Sequence, residues 1–379
     1  MCRCESARPA RLADSFQEEI RLCDYFAMDL DEDSLSNSTI NQLSMLSRNG
    51  LSETALLLYG RWWQFEDWLR QLAYVELRTK YGRDWVAQCN LSTYHQDNDA
   101  EWTHMLTRDN ENLLAYFDFL KLSQLMCSNW VLFKHALPRR ETWDSLVSEL
   151  NMVRRRIAHL RMAHTDDLAR LEQALRDLER GAFITLASYN DRWPARVAET
   201  PDPITDGWVK QEHVDAQRLL AHAETRYEVS FYLRTSHRPW SSSEGTLDGL
   251  SGRLWHAEFY SRQGSINVEE VWRNGHFKEA RSLAVHVEVD SPNSFSLTFT
   301  DVDDRQEIAD AIGGAFDAIL MSLTPHSRQT EISDKDRTRK LRELNYKILA
   351  GTGWNIVDSS TVPITIFASG GGVNEAPSR

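Results

Sequence analysis

A proline-rich stretch near the middle of the chain separates two segments whose apolar residues follow different periods. Residues 189–208 contain Pro194, Pro201 and Pro203 among mostly polar neighbours. Before this stretch, apolar residues recur every three or four positions, as on a helix buried along one face. After it they recur at every second position, as in strands. We therefore predict a multidomain α and α+β protein, with an all-α part, a Pro-rich linker at 188–208 and an α+β part.

The predicted segments follow these changes of composition. The chain has 379 residues, which is enough for two or three domains with separate cores. We predict an N-terminal helical arm and polar linker at 1–48, a helical domain at 49–187, the linker, an α+β domain at 209–370 and a disordered tail at 371–379.

A long aromatic helix is predicted in the N-terminal half. Residues 51–89 contain no proline, and their apolar positions form one helical stripe. The stripe consists of Tyr59, Trp62, Phe65, Leu69, Leu72 and Val75. We predict one helix, or two helices broken near Gly60, ending around Tyr81 and Gly82 because glycine readily takes the left-handed conformation that closes helices. Further periodic segments predict about four to six helices in the domain.

The C-terminal half is predicted to be an α+β domain with half-buried antiparallel strands. Apolar and polar residues alternate in three segments, at 227–233, 283–289 and 295–299. Further strands are predicted at 254–260, 268–277, 354–357 and 362–367, and amphipathic helices at 308–320 and 336–350.

Composition and charge limit the classes of protein that fit this chain. The net charge of −13 argues against a protein that coats nucleic acid non-specifically, so RNA or DNA must bind at a local basic patch. Five cysteines without a CxxC pair argue against a disulfide framework and a zinc site. No uncharged apolar run approaches the roughly 20 residues that cross a bilayer, and the N-terminus lacks the apolar core of a secretory signal. We expect a cytoplasmic protein without a membrane segment.

Residues 146–160 contain the candidate functional motif. Their apolar stripe is formed by Leu146, Leu150, Val153, Ile157 and Leu160. Arg154, Arg155 and Arg156 lie off this stripe, close to His159, so fixed positive charge is concentrated beside a group that titrates near neutral pH. This combination suits phosphate chemistry. The same pattern also fits a solvated helix face without function, or a helix that contacts DNA, although no helix-turn-helix pattern surrounds it.

The helical segment resembles the HEPN family, compact helical domains of which many are metal-independent endoribonucleases in toxin, RNA-processing and antiviral systems. Arg154 and His159 fit the family's R-x4-6-H pattern with four residues between them. Residues 63–85 also resemble the long helix of the family. Arg155 stands where the family often has Asn, so a charge contact would replace a hydrogen bond there. The resemblance covers roughly residues 50–185.

The resemblance implies RNA cleavage by attack of the ribose 2′-OH at a cleft between two copies of the chain. His159 would transfer protons and Arg154 would hold phosphate oxygens through its planar set of donors. The expected supporting residues are Arg155, Arg156 and Glu66, and the expected RNA-binding residues are Arg139, Arg140 and Arg161. No metal or other cofactor is expected. The family most often implies a toxin or antiphage effector, with a regulatory protein or phage-derived trigger bound at the C-terminal domain.

Several alternatives remain at the level of the sequence. The whole domain can instead be a catalytically inactive scaffold that dimerises and binds a partner protein or a nucleotide. His164, Asp166 and Asp167 can form a metal cluster, or the two aspartates can open the next helix. Glu66 can orient Arg154 or lie on the surface, and Arg139 and Arg140 can extend an RNA surface or solvate a loop.

Helix geometry adds one requirement to the motif. Side chains five positions apart on a regular helix point about 140° apart. Arg154 and His159 can therefore meet one phosphate only if the helix ends or distorts between them, or if a second copy of the motif completes the site.

Overall fold

The computed structural model describes most of the chain from residue 53 onward. The described residues are 53–105, 110–159, 161–187, 191–226, 228–241, 252–325 and 334–350. The predicted N-terminal arm at 1–48, the strands at 354–357 and 362–367, and the tail at 371–379 lie outside them. No helix within this described part is long and apolar enough to span a membrane.

The long aromatic helix is continuous. Helix α1 (Glu53–Tyr81) runs through Gly60 without a break. The predicted stripe is buried from Trp62 to Val75, but Tyr59 is 59% exposed, so its assignment to the stripe was wrong. Leu58 takes the inward position instead, because it lies four residues before Trp62 and therefore on the same face.

The remaining helical elements between residues 82 and 187 are shorter. Single-turn helices are α2 (Trp85–Gln88) and α5 (Trp130–Phe133); longer ones are α3 (Tyr94–Ala100), α4 (Phe119–Ser128), α6 (Arg140–Ala158) and α7 (Asp167–Ala187). Helix α6 begins at Arg140, with Arg139 at the N-cap, and it is separate from α7.

A six-stranded sheet forms the centre of the C-terminal half. Its strands are β1 (Trp193–Pro194), β2 (Val229–His237), β3 (Arg253–Ser261), β5 (His286–Val289), β6 (Ser294–Thr300) and β8 (Ile348–Ala350). The strand order is β1-β2-β3-β6-β5-β8. Only the β5–β8 pair is parallel, so the predicted antiparallel character is confirmed for the rest of this sheet. Strands β4 (Gly264–Ile266) and β7 (Leu323–Pro325) form a second, two-stranded sheet.

Helices pack around the sheet, and at three of them the observed secondary structure differs from the prediction. The helices are α8 (Pro203–Trp208), α9 (Val214–Thr225), α10 (Val268–Arg273), α11 (Lys278–Leu283), α12 (Arg305–Met321) and α13 (Asp334–Leu344). The predicted strand at 268–277 is helix α10 and a 3₁₀ turn, because Asn267 and Asn274 cap these turns. The predicted helix to residue 350 ends at Leu344 and is followed by β8. The predicted linker contains β1 and α8.

Both faces are buried at β5 and β6, so the prediction of half-buried strands was wrong for these two, whereas β2 is mostly half-buried, as predicted. Every residue of β5 and β6 is buried. Helix α12 packs on the apolar face, in a core with Trp255 and Phe259. On the opposite face, Leu254 and Val285 belong to the core of the helical part, which therefore covers the polar positions of the strands.

The C-terminal end of α1 connects the helical part to the sheet. From Leu58 onward, the helical and α+β parts belong to one compact unit. The Tyr74 hydroxyl donates to the Val285 carbonyl oxygen at 3.0 Å, and the Thr300 hydroxyl donates to the Thr79 carbonyl oxygen at 3.0 Å. The candidate motif is thus carried by a domain that is held firmly against its neighbour.

Gly82 ends α1 in the left-handed conformation that was predicted for it, with φ of +62°. A Cβ atom at this position would lie 2.4 Å from Asp303 Oδ1. Asp303 has no room to move away, because it pairs with Arg78 at 2.7 Å and accepts from the Arg83 backbone N–H at 2.7 Å.

Gly82→Ala is therefore expected to lower the free energy of unfolding by about 2 kcal/mol, through strain at a left-handed residue and displacement of Asp303. Gly60→Ala is the matched control, since a Cβ at Gly60 meets nothing within 4 Å in the interior of a helix. It should raise stability by about 0.5–1 kcal/mol. Urea denaturation of both variants measures the difference, and equal stabilities would contradict the role assigned to Gly82.

Candidate functional site

The motif helix ends between Arg154 and His159. Helix α6 closes at Ala158, and His159 is its C-cap, with φ of −101° and ψ of 15°. The His159 backbone N–H donates to the Arg155 carbonyl oxygen at 3.2 Å. The His159 side chain is exposed and makes no hydrogen bond with the described residues. The helix thus ends at His159, and no contact between the Arg154 and His159 side chains is among the described interactions.

Arg154 is held at the surface by an aspartate that the sequence reading did not single out. Arg154 Nη2 lies 3.3 Å from Asp118 Oδ2, and the two side chains are 31% and 37% exposed. Asp118 is also the N-cap of α4, where its other oxygen accepts from the Lys121 backbone N–H at 2.9 Å. In the sequence, Asp118 directly precedes the apolar run that opens at Phe119. This pattern indicates a helix N-cap, but it does not indicate a partner for Arg154.

Glu66 lies behind this pair and does not contact Arg154 in any described interaction. Its carboxylate accepts from the Phe119 backbone N–H at 3.2 Å and from Trp62 Nε1 at 3.0 Å. It also pairs with Arg70 Nη2 at 2.7 Å. Arg70 in turn donates to the backbone carbonyls of residues 114 and 117, at 3.2 and 3.3 Å. The Glu66–Arg70 pair therefore positions the backbone next to Asp118, and its effect on Arg154 is indirect.

Arg156 takes part in a structural ion pair. Its Nε donates to Asp167 Oδ2 at 2.7 Å and its Nη2 donates to Asp167 Oδ1. Asp167 is 1% exposed and also accepts from the His164 backbone N–H at 2.8 Å. Burial alone would raise the pKa of Asp167, but the Arg156 and His164 hydrogen bonds outweigh burial and lower it below its ordinary value of 3.8. The pair closes the turn that follows His159.

Asp167 opens helix α7, as one of the sequence alternatives proposed. His164 Nδ1 lies 3.8 Å from Asp166 Oδ2, but the Asp167 carboxylate is turned to Arg156. Over the described ranges, no group of three or more His, Cys, Asp or Glu residues is placed to hold a metal ion. These three residues therefore organise the turn.

Asp167→Asn is expected to lower the free energy of unfolding at pH 7 by roughly 1.5–3 kcal/mol, because a charge-assisted double hydrogen bond is lost. The folded state lowers the pKa of Asp167, so its carboxylate stabilises the parental protein fully well above pH 3.8. This gain in stability over Asp167→Asn shrinks as the pH falls below that value. Urea denaturation at pH 7 and at pH 3.5 measures both effects. Asp166→Asn is the matched control, since that side chain is 68% exposed and should change stability by less than about 1 kcal/mol. A loss for Asp167→Asn that does not depend on pH would contradict this account.

The other predicted arginines fall into two places. Arg155 and Arg161 are exposed beside His159, and their side chains make no ion pair with the described residues. Arg139 and Arg140 lie at the opposite end of α6, roughly 27 Å away along the helix axis. There the Arg140 Nε donates to Asp144 Oδ1 at 3.1 Å. The structure thus brings Arg154, Arg155, Arg161 and His159 to one end of α6, and it does not bring Arg139 and Arg140 to them.

Taken together, these features define a helical domain with an arginine and a histidine at the exposed end of one helix, packed against an α+β part. Residues 63–181 match the family model described as Swt1-like HEPN, which supports a HEPN-domain family for this segment of the chain. The resemblance inferred from the motif is therefore confirmed. Comparison with curated proteins and with solved structures produced no match.

Proposed function

We propose that the protein is a metal-independent endoribonuclease with its active site at the end of helix α6. The observation that carries this proposal is the position of His159, exposed at the helix C-cap of a HEPN domain, with Arg154 five residues before it. The exposed Arg155 and Arg161 add positive charge around the same point. In a chain with a net charge of −13, this local concentration is the kind of basic patch at which RNA must bind.

The chemistry requires three events that these side chains can support. The ribose 2′-oxygen loses its proton and attacks the adjacent phosphorus. The bond from phosphorus to the leaving 5′-oxygen breaks, and that oxygen gains a proton. The products are a 2′,3′-cyclic phosphate and a 5′-hydroxyl. An imidazole exchanges protons near neutral pH, so His159 is assigned one of the two proton transfers.

We assign to Arg154 the binding of the phosphate group that is attacked. Its contact with Asp118 occupies one Nη2 atom, while a guanidinium carries five N–H donors. Because the side chain is about one-third exposed, the remaining donors can hold two non-bridging oxygens in the planar arrangement that phosphate favours. Asp118 would then orient the guanidinium, with Glu66 and Arg70 supporting the backbone beside it. Arg156, bound to Asp167, supports the turn after His159.

A second copy of the chain would supply the remaining proton transfer. The surface at this end of α6 also carries two exposed methionines, Met152 at 54% and Met162 at 90%. Exposed apolar side chains around a charged centre fit a dimer interface with the two His159 side chains in one cleft. Homodimerisation through the HEPN domain is part of the proposal, as is a toxin or antiphage role with a regulatory protein or phage-derived trigger bound by the α+β part.

The direct test is incubation of the purified protein with mixed cellular RNA in the presence of EDTA, followed by a denaturing gel and by sequencing of the RNA ends. Discrete fragments with 2′,3′-cyclic phosphate and 5′-hydroxyl ends are expected. Fragments that appear only without EDTA would contradict the metal-independent mechanism.

One observation favours a second candidate, a catalytically silent scaffold that dimerises and binds a partner protein or a nucleotide. Arg154 and Arg156 both lie in ion pairs, with Asp118 and Asp167, and could serve stability alone. The same gel separates the candidates, since a scaffold leaves RNA intact under every condition.

A further inference from the structure

An open surface cavity, lined by polar and aromatic side chains, lies beside the segment that leads to Asp118. Its volume is about 400 Å³. Helix α3 forms one side and the 3₁₀ turn at Leu113–Tyr116 forms the other. The cavity is lined by His95, Asn98, Asp99, Trp102 and Tyr116. None of these residues was singled out from the sequence, and none belongs to the site at the end of α6.

The lining is held in place by hydrogen bonds between its two sides. The Tyr116 hydroxyl donates to Asp99 Oδ2 at 2.7 Å, and Gln96 Nε2 donates to the Asn110 carbonyl oxygen at 2.8 Å. Asn112 caps the 3₁₀ turn by accepting from the Leu114 backbone N–H at 3.2 Å. Tyr116 and Asp99, one from each side of the cavity, therefore hold each other in place before any ligand arrives.

Trp102 gives the cavity an exposed aromatic surface. This side chain is 57% exposed, although a tryptophan gains more from burial than almost any other residue. An exposed indole at the edge of a polar cleft is suited to stacking against a flat ring. Unpaired bases of single-stranded RNA are recognised in this way, by stacking on aromatic side chains and by hydrogen bonds to their edges.

The charge of the lining favours a base over a phosphate. Asp99 contributes a carboxylate, and neither lysine nor arginine is among the five lining residues that the structure describes. With Oδ2 occupied by Tyr116, Oδ1 of Asp99 is left to accept from a ligand. Guanine presents two adjacent donors, N1–H and the N2 amino group, on its Watson–Crick edge. The Asn98 amide offers a further donor and acceptor.

The segment that lines the cavity leads directly to the proposed active site. Tyr116 is two residues before Asp118, so their Cα atoms are at most about 7 Å apart. Asp118 in turn contacts Arg154 at 3.3 Å. A strand that binds at both places would have one phosphate at Arg154 and an unpaired base in the cavity.

We propose that this cavity binds an unpaired base of the RNA substrate, stacked on Trp102, and that Asp99 makes guanine the preferred base. The assignment of the base to a cleaved strand rests on the endoribonuclease proposed above. The cavity would thus determine which RNA sequences are cut, whereas Arg154 and His159 act on a phosphate that every sequence has.

Binding can be measured separately from cleavage. Fluorescein-labelled hexauridylate probes with 2′-O-methyl groups throughout lack the attacking hydroxyl, and each would carry one central guanine, adenine or cytosine. By fluorescence anisotropy, the parental protein should bind the guanine probe most tightly. Trp102→Ala should weaken this binding by about tenfold or more. Asp99→Asn should remove the preference for guanine. The asparagine oxygen can still accept from Tyr116, but its NH2 group then presents donors to the ligand where the carboxylate presented an acceptor.

Trp193→Ala is the matched control, because Trp193 is 64% exposed and lies in the α+β part. It should leave probe binding unchanged. Equal binding of all probes, or binding that Trp102→Ala does not weaken, would overturn the proposal. If the guanine preference and its loss in Trp102→Ala are found but no RNA is cut, the cavity assignment stands and the nuclease proposal fails. If RNA is cut and Trp102→Ala leaves the cut sites unchanged, the nuclease stands and the cavity assignment fails.

Discussion

His159→Ala is expected to lower the rate of RNA cleavage in EDTA by at least about 100-fold, the usual contribution of a group that transfers a proton in the transition state. The same change should alter the free energy of unfolding by less than about 0.5 kcal/mol, since the exposed imidazole makes no hydrogen bond with the described residues. Initial rates on an end-labelled RNA and urea denaturation measure the two quantities. A large loss of activity without loss of stability is the signature of a catalytic side chain.

An exposed histidine elsewhere in the chain provides the control. His276 lies in the 3₁₀ turn after α10, where its backbone N–H, and not its ring, bonds to Asn274 Oδ1 at 2.9 Å. His276→Ala should cleave RNA at the parental rate. If His159→Ala also cleaves at that rate, the active site has been placed at the wrong end of the domain. If both variants lose activity, the loss comes from a general effect on the protein.

Glu76→Ala is expected to have the largest effect on stability, lowering the free energy of unfolding by about 3–5 kcal/mol. Glu76 lies on α1 and Arg238 follows β2, and both side chains are 0% exposed. The carboxylate accepts from Arg238 and, at 2.9 Å, from Trp240 Nε1. Removing it takes the Glu76 carboxylate away from a fully buried guanidinium at the junction of the helical and α+β parts. Urea denaturation of the purified variant measures the loss.

The control for this pair is an ion pair of similar length on the surface. Glu269 and Arg273 lie 2.7 Å apart on α10 with side chains 55% and 71% exposed. Glu269→Ala should change the free energy of unfolding by less than about 1 kcal/mol, because solvent screens an exposed pair. A loss of that small size for Glu76→Ala would show that the interior tolerates the loss of the Glu76 carboxylate, and would contradict the role of the pair in joining the two parts.

Local patterns were reliable where one physical requirement dominates. Gly82 was predicted to end α1, and it does so because few other residues adopt a positive φ without strain. The alternation around Phe295–Phe299 predicted strand β6, and the apolar period from Ile308 predicted α12. Local patterns failed at 268–277, where the asparagine caps outweighed the apolar residues.

The sequence by itself determined the two halves of the protein, the motif on α6 and the HEPN relationship, because residue periods and spacings are properties of consecutive positions. Only the tertiary structure decided how the motif is held. It paired Arg154 with Asp118 and Arg156 with Asp167, and it placed Glu66 behind Asp118. These contacts depend on which helix ends meet in space, and no period along the chain records that. The burial of both faces at β5 and β6 has the same origin, since a polar position on a strand is exposed or covered according to what the rest of the chain packs against it.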